Sequence, residues 1–105
     1  MSLSVGTITA VNPVTETTIL TYTASAGEFL RGWNVWGKRE AECRLYIGAN
    51  LKHIGHIGNI VDVDDAKTFV QNFTPIALAA SDSVTIKIVK NNNGGANDDF
   101  RGEIY

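Results

Sequence analysis

The fold class is decided by the stretch PIALAASDSVTIKIVK, residues 75–90. After a polar turn at residues 80–82, side chains alternate with a period of two, which is the pattern of a half-buried strand. The residues predicted to face the core are Val84, Ile86 and Ile88, and those predicted to face outward are Thr85, Lys87 and Val89. This is the most regular strand signal in the chain.

A polar loop and a last strand follow this segment. The loop covers residues 91–99, and the strand after it places Phe100, Gly102 and Ile104 on one face. We therefore expect residues 84–90 and the last strand to face the same core. The two strands are predicted to pair as the closing hairpin of an all-β domain.

Six further strands are predicted from alternating apolar residues, β-branched residues and the turn residues between them. They cover residues 5–11, 15–24, 29–37, 41–47, 51–57 and 68–73. In the third of these, apolar residues fall on both parities, and a bulge at Gly32 brings Leu30, Trp33 and Val35 to one face. The sequence therefore predicts an all-β fold, a jelly-roll-like antiparallel β-sandwich of about eight strands, as one domain over residues 1–105.

The charge of the chain argues against nucleic acid as a ligand. Its 105 residues hold nine Lys and Arg against eleven Asp and Glu, for a net charge of −2. Neutralising several phosphates needs clustered cations. The densest group, Arg31, Lys38, Arg39 and Arg44, is interrupted by Glu40 and Glu42.

Neither secretion nor a membrane span is expected from the sequence. Residues 1–25 hold no basic region followed by an apolar run, and no stretch reaches the ~18 apolar residues of a spanning helix. Cys43 is the only cysteine, and its place between Ala41 and Leu45 on an apolar face predicts a buried thiol. We expect the protein to be made in the cytoplasm without a signal peptide.

No group of residues in the sequence indicates catalysis, a cofactor or a metal. His53 and His56 are three apart on a predicted strand, so their rings point to opposite faces and cannot share an ion without a bulge. The acidic run at residues 62–65 lacks the glycine and the further bidentate acid of a calcium loop, so a solvated loop is favoured. The expectation is a protein that is not an enzyme and holds no cofactor or metal.

Two sets of residues are candidates for binding a ligand. Trp36 and Tyr46 could form an aromatic platform under a sugar ring together with Trp33 and Tyr22, and Trp36 is favoured for exposure because the assumed bulge turns it away from Trp33. The loop offers amides and a carboxylate to a sugar or a partner protein through Asn92, Asn93, Asn97 and Asp98. The simpler interpretation of this loop is a long hairpin tip that binds nothing.

A contact between subunits is predicted from apolar side chains on outward positions. Val89 and Tyr105 fall on outward positions of their strands, and Tyr22 or Leu20 competes with Ile19 for the core. Exposed apolar residues on a sheet face favour a subunit interface. The candidate interface residues are therefore Val89, Tyr105 and Tyr22.

Four segments carry a resemblance to a known group of proteins. They are the glycine turn AGEFLRG at residues 26–32, the strand and hairpin at residues 41–48, the pair FTPIAL and SDSVTIK within residues 73–87, and the closing strand DFRGEI at residues 99–104. Together, over roughly residues 25–105, they resemble small β-sandwich proteins encoded among the virion structural genes of tailed bacteriophages. One departure from that pattern is Ala80-Ser81-Asp82, which stands where such proteins commonly have a glycine before the acid.

The resemblance implies a non-catalytic virion component, such as a head or tail decoration or a fibre-associated module. It also implies assembly as a ring or homotrimer, with the trimer favoured, and other virion proteins or a surface glycan as further partners. On this view the protein leaves the cytoplasm as part of the virion. The alternative is a carbohydrate- or receptor-binding module, in which an exposed Trp or Tyr lies beside Asn or Asp.

Overall fold

A computed structural model describes residues 3–11, 15–37, 40–57, 67–89 and 98–105. Within these ranges the chain forms eight strands and no helix. The strands are β1 (Ser4–Val11), β2 (Thr17–Thr23), β3 (Phe29–Gly37), β4 (Ala41–Ile47), β5 (Asn50–Ile57), β6 (Lys67–Ala77), β7 (Ser83–Val89) and β8 (Asp98–Ile104). The described ranges therefore hold no helix of the length and apolarity needed to cross a membrane.

The strands form two antiparallel sheets of four. The first sheet has the order β1-β8-β3-β6 and the second has the order β2-β7-β4-β5. Strand β1 pairs with β8, β2 with β7, β3 with β6 and β4 with β5, so the first half of the chain folds back on the second half. This wound arrangement of eight strands is a jelly roll, and the predicted antiparallel β-sandwich is confirmed.

The predicted closing hairpin is wrong. Strand β7 pairs with β2 and β4 in the second sheet, whereas β8 pairs with β1 and β3 in the first. Alternation fixes which face of a strand is buried, but both sheets bury a face in the same core, so alternation does not choose the partner strand. The chain between β7 and β8 joins the two sheets, and the last two residues of the predicted loop, Asp98 and Asp99, already belong to β8.

The predicted bulge in β3 is confirmed. The register of β3 against β6 shifts between Leu30 and Gly32. As a result Leu30, Trp33 and Val35 all lie in the core, each with 0% exposure. A similar shift in β2, between Thr18 and Leu20, lets the neighbouring residues Ile19 and Leu20 both be buried.

Strand β6 is longer than the sequence predicted. It runs over Lys67–Ala77 and so continues past the expected end at residue 73 and through Pro75. Strand β6 is an edge of the first sheet. A proline is tolerated in an edge strand because its missing N–H can face the outer side, where no neighbouring strand forms hydrogen bonds. The extra residues bring Ala77 opposite Phe29 in β3.

One hydrophobic core lies between the inner faces of the two sheets. The inward residues predicted for β7 and β8 are all buried in it, including the small Gly102. The apolar residues of the core are Ile19, Leu20, Ala24, Leu30, Trp33, Val35, Ala41, Cys43, Leu45, Ile57, Leu78, Val84, Ile86, Ile88, Phe100 and Ile104.

Candidate functional site

The four aromatic residues of the predicted platform lie on separate surfaces. Trp33 is in the core, where its Nε1 donates a hydrogen bond to Gln71 Oε1 at 2.8 Å. Trp36 is half-buried on the outer face of the first sheet, as the bulge in β3 predicted. Tyr46 lies on the outer face of the second sheet. Trp36 and Tyr46 therefore belong to opposite faces of the sandwich and cannot contact the same sugar ring.

A groove surrounds Trp36 on the outer face of the first sheet. This Trp36 groove has a volume of about 340 Å³ and is lined by Thr7, Thr9, Trp36, Asp99 and Arg101. Thr7 lies opposite Arg101 between β1 and β8, and Arg101 lies opposite Trp36 between β8 and β3. The groove is therefore built by three neighbouring strands that are far apart in the sequence.

The polar groups of this groove are largely unused. Within the part of the chain that the structure describes, Trp36 and Arg101 make no hydrogen bond, ion pair or ring contact through their side chains, in contrast to the paired indole of Trp33. The exposed hydroxyls of Thr7 and Thr9 also have no partner among these residues. An aromatic face, a cation and two hydroxyls thus remain available to a ligand.

Tyr46 belongs to a closed polar network on the second sheet. The carboxylate of Glu16 accepts hydrogen bonds from the Tyr46 hydroxyl at 2.6 Å and from Arg44 Nη1 at 2.7 Å, and Lys87 Nζ lies 3.4 Å from it. Arg44 also pairs with Glu42, and the Lys87 ammonium lies 5.0 Å from the centre of the Tyr46 ring. The hydroxyl and one face of Tyr46 are already occupied, so it is a poorer platform than Trp36.

The charges of this network shift its titration. Hydrogen bonds from Tyr46 and Arg44 lower the pKa of Glu16 from 4.5 to about 2. The same contacts with Glu16 raise the pKa values of Arg44 and of Tyr46 above their usual range. Glu16 therefore stays ionised at neutral pH and holds the two donors in place.

The predicted loop ligands lie mostly outside the described residues. Asn92, Asn93 and Asn97 belong to a range that the structure does not describe. Asp98 is the first residue of β8, where it pairs with Val11 of β1. The proposal that these residues bind a sugar or a partner remains a prediction.

The three predicted interface residues do not lie together. Val89 is half-buried at the end of β7, and Tyr22 lies opposite Val84, five positions earlier or about 17 Å along the strand. The Tyr22 hydroxyl donates to the Glu28 carboxylate at 2.6 Å, which raises the pKa of Tyr22. Tyr105 follows β8 in the first sheet, where its hydroxyl donates to Asn72 Oδ1 at 2.6 Å.

The exposed apolar residues found in the structure are different ones. Leu51 and Ile54 on β5 are 44% and 51% exposed. Ile54 lies three positions before buried Ile57, so it falls on the opposite face of the strand, a signal that was present in the sequence. Leu51 is turned outward by a register shift that leaves Lys52 unpaired, and no sequence pattern indicated that shift. The other large exposed apolar residues are Val5, Phe29 and Val70.

The histidines point in opposite directions, as their spacing predicted. The His53 ring stacks on Phe73 with ring centres 4.7 Å apart, whereas His56 is exposed and lies opposite Glu42. Among the described residues, no group of three His, Cys, Asp or Glu is placed to hold a metal ion. The acidic run at residues 62–65 lies outside the described residues. Cys43 is buried, as predicted, and burial raises the pKa of its thiol to about 12.

The fold and its surfaces define an eight-stranded jelly roll with the Trp36 groove on its first sheet, a second groove of about 390 Å³ lined by Leu3, Phe29, Arg31 and Tyr105, and an apolar edge at β5. Comparison of the chain with protein-family models, with curated proteins and with solved structures found no match. Because one fold can host many functions, the surfaces of this jelly roll carry the evidence for its function.

Proposed function

We propose that this chain is a non-catalytic structural protein that self-associates, and that it is a component of a bacteriophage virion. The observation that carries self-association is the edge strand β5, which presents Leu51 and Ile54 to solvent. The virion assignment rests on the resemblance over residues 25–105. A jelly roll is compatible with it, since this fold is common in viral capsid proteins.

Strand β5 has the properties of an edge that another chain covers. An edge strand leaves a row of backbone N–H and C=O groups unpaired, which favours pairing with a further strand. The other edge beside it, β6, contains Pro75, which breaks such a row. Strand β5 has no proline, and it pairs regularly with β4 from His53 to Ile57.

The two apolar side chains of β5 are neighbours on the outer face. Leu51 lies opposite Tyr46, and Ile54 lies opposite Arg44 two positions earlier in β4. Because Lys52 is left out of the pairing, Leu51 and Ile54 lie opposite residues that are only two positions apart on β4. Covering both in a subunit contact removes apolar surface from water, which stabilises the assembly.

The test is the mass of the protein in solution. Light scattering coupled to size-exclusion chromatography should give an oligomer, with a trimer expected, and Ile54→Asp should raise the dissociation constant at least about tenfold. Val5→Asp is the matched control, because Val5 is similarly exposed, at 53%, but lies on β1 in the other sheet. A monomer at millimolar concentration would contradict self-association. Absence of the protein from purified particles of the encoding phage would contradict the virion assignment.

A second function, glycan binding, is favoured by the Trp36 groove. An exposed Trp face beside unpaired hydroxyls and a cation is the combination expected in a site that binds a sugar. Binding to a glycan array should be present in the wild-type chain and lost in Trp36→Ala. The two functions are compatible, because the groove lies on the first sheet and the proposed contact on the second.

A further inference from the structure

We propose that the Trp36 groove binds an acidic sugar, with the pyranose ring against the indole of Trp36 and the sugar carboxylate paired with the guanidinium of Arg101. The proposal rests on the second function above, glycan binding, and adds the chemical class of the ligand. It is carried by the state of Arg101, which differs from that of the other described arginines.

Arg101 is a cation without an acid partner in the described part of the chain. Arg44 is held by Glu16 and Glu42, and Arg31 lies over the Phe29 ring at 5.7 Å. Glu103, the next residue on the outer face of β8, accepts a hydrogen bond from Asn34 Nδ2 at 2.9 Å instead. A guanidinium presents paired N–H donors that match a carboxylate, so Arg101 is ready to bind one.

Trp36 supplies the surface for the sugar ring. Its indole is half-buried, so one part is fixed by packing while the rest faces the groove, and its N–H has no partner among the described residues. Arg101 lies directly opposite Trp36 across the β8–β3 pair, where side chains on one face are about 5 Å apart at Cβ. A ring on the indole therefore brings its own carboxylate within reach of Arg101.

The remaining groups of the groove favour a sugar acid over a phosphate. Thr7 and Thr9 offer hydroxyls that can exchange hydrogen bonds with the hydroxyls of a sugar. Asp99 and Glu103 flank Arg101 on its strand, and their two negative charges repel a doubly charged phosphate more strongly than the single charge of a sugar carboxylate. The groove volume of about 340 Å³ lies at the small end of ligand sites, which suits one or two sugar rings.

The experiment is a titration followed by two-dimensional ¹H–¹⁵N spectra. The chain has two tryptophans, so the indole N–H signal of Trp36 should shift on adding D-glucuronate, D-galacturonate or N-acetylneuraminate, while that of buried Trp33 should not. The methyl esters of the same sugars, and D-glucose, are the uncharged comparisons. At least one acid should bind about tenfold or more tightly than its ester, because the ester loses the charge-assisted hydrogen bond.

Two variants separate the carboxylate contact from general charge. Arg101→Gln should remove the preference for the acid over its ester, whereas Arg31→Gln, which changes the net charge equally outside the groove, should preserve it. Equal binding of acid and ester, unaffected by Arg101→Gln, would overturn this inference and leave glycan binding standing. No shift of Trp36 with any of these sugars would overturn the inference, and an array without binding would also overturn the second function.

Discussion

The ring of Phe69 lies against the backbone of Gly55, so close that a Cβ at position 55 would overlap the outer carbon atoms of the ring. Gly55 belongs to β5 at the edge of the second sheet, and Phe69 belongs to β6 at the edge of the first. On its other side Phe69 packs edge-on against Trp33, with ring centres 5.0 Å apart and planes at 65°. The Phe69–Gly55 contact therefore closes the core on the side where β5 and β6 meet.

A methyl group at position 55 should destabilise the protein. Gly55→Ala makes its Cβ clash with the outer carbon atoms of the Phe69 ring, and overpacking of this kind lowers the free energy of unfolding by about 1–3 kcal/mol. Chemical denaturation measures the change. In a Phe69→Leu background the smaller side chain leaves room, so the cost of Gly55→Ala should shrink by an amount that a double-mutant cycle reports. An equal cost in both backgrounds would show that Phe69 is not the obstacle.

Much of the fold could be predicted because burial leaves a period of two in the sequence. Strand β4 was predicted with its observed bounds, and the parity change at Gly32 revealed the bulge that sends Trp33 inward and Trp36 outward. The pairing of β8 with β1 and β3 could not be predicted, because alternation describes one strand at a time. The end of β6 was missed because Pro75 signals a strand boundary unless the strand is known to be an edge.

The candidate site was predictable only in part for the same reason. Trp36 was identified as an outward aromatic from its own strand. Its neighbours in the groove, Thr7 and Arg101, come from β1 and β8, and only the sheet order brings them beside it. The pairing of Tyr46 with Glu16 likewise depends on the reach of a side chain across the second sheet, which no local pattern specifies.

A serine holds a backbone conformation that suits glycine. Ser81 has φ of 75° in the turn before β7, which costs an L-residue about 1 kcal/mol or more. The turn is otherwise well bonded, because the Asp82 carboxylate accepts from the Ala79 N–H at 2.9 Å and the Ser81 N–H donates to Ala24 O at 2.9 Å. Ser81→Gly should therefore raise the free energy of unfolding by about 0.5–1 kcal/mol. Thermal and chemical denaturation measure the gain.

The control for this substitution is a serine in an ordinary conformation. Ser25 is exposed and lies in a neighbouring turn without a positive φ. Ser25→Gly should leave stability unchanged or lower it slightly, since it only adds freedom to the unfolded chain. A loss of stability in Ser81→Gly as large as in Ser25→Gly would show that the backbone at Ser81 is not strained.

The single cysteine should be unreactive in the folded protein. Cys43 has 0% exposure, and burial, reinforced by the charge of Glu42 and partly offset by a backbone hydrogen bond at Ile57, raises its pKa to about 12. At pH 8 the thiolate is then about one part in 10⁴ of the Cys43 side chains. A thiol reagent in solution also cannot reach the buried sulfur. Ellman's reagent should give no colour with native protein and one equivalent in guanidinium chloride. Rapid labelling of the native chain would contradict this burial.

The stability of the protein should fall in acid partly through Glu16. Its pKa is about 2 in the folded chain against 4.5 without its partners, so its contribution is fully present above pH 4.5 and is lost as the pH falls toward 2. Because the group is largely exposed, we expect this contribution to be below about 1 kcal/mol. Chemical denaturation should show wild type more stable than Glu16→Gln at pH 7, with the difference shrinking between pH 4.5 and 2.

The cause of this shift is tested by removing one hydroxyl. The Tyr46 hydroxyl makes the largest contribution to the lowered pKa of Glu16, and Arg44 makes the next. Tyr46→Phe keeps the ring and its packing under Lys87 but removes that donor, so the pKa of Glu16 should rise part of the way toward 4.5. An NMR titration of the Glu16 side-chain carboxyl carbon measures the value directly in both proteins. If Glu16 already titrates near 4.5 in wild type, the network on the second sheet is not held by this carboxylate, and the acid sensitivity of the fold has another source.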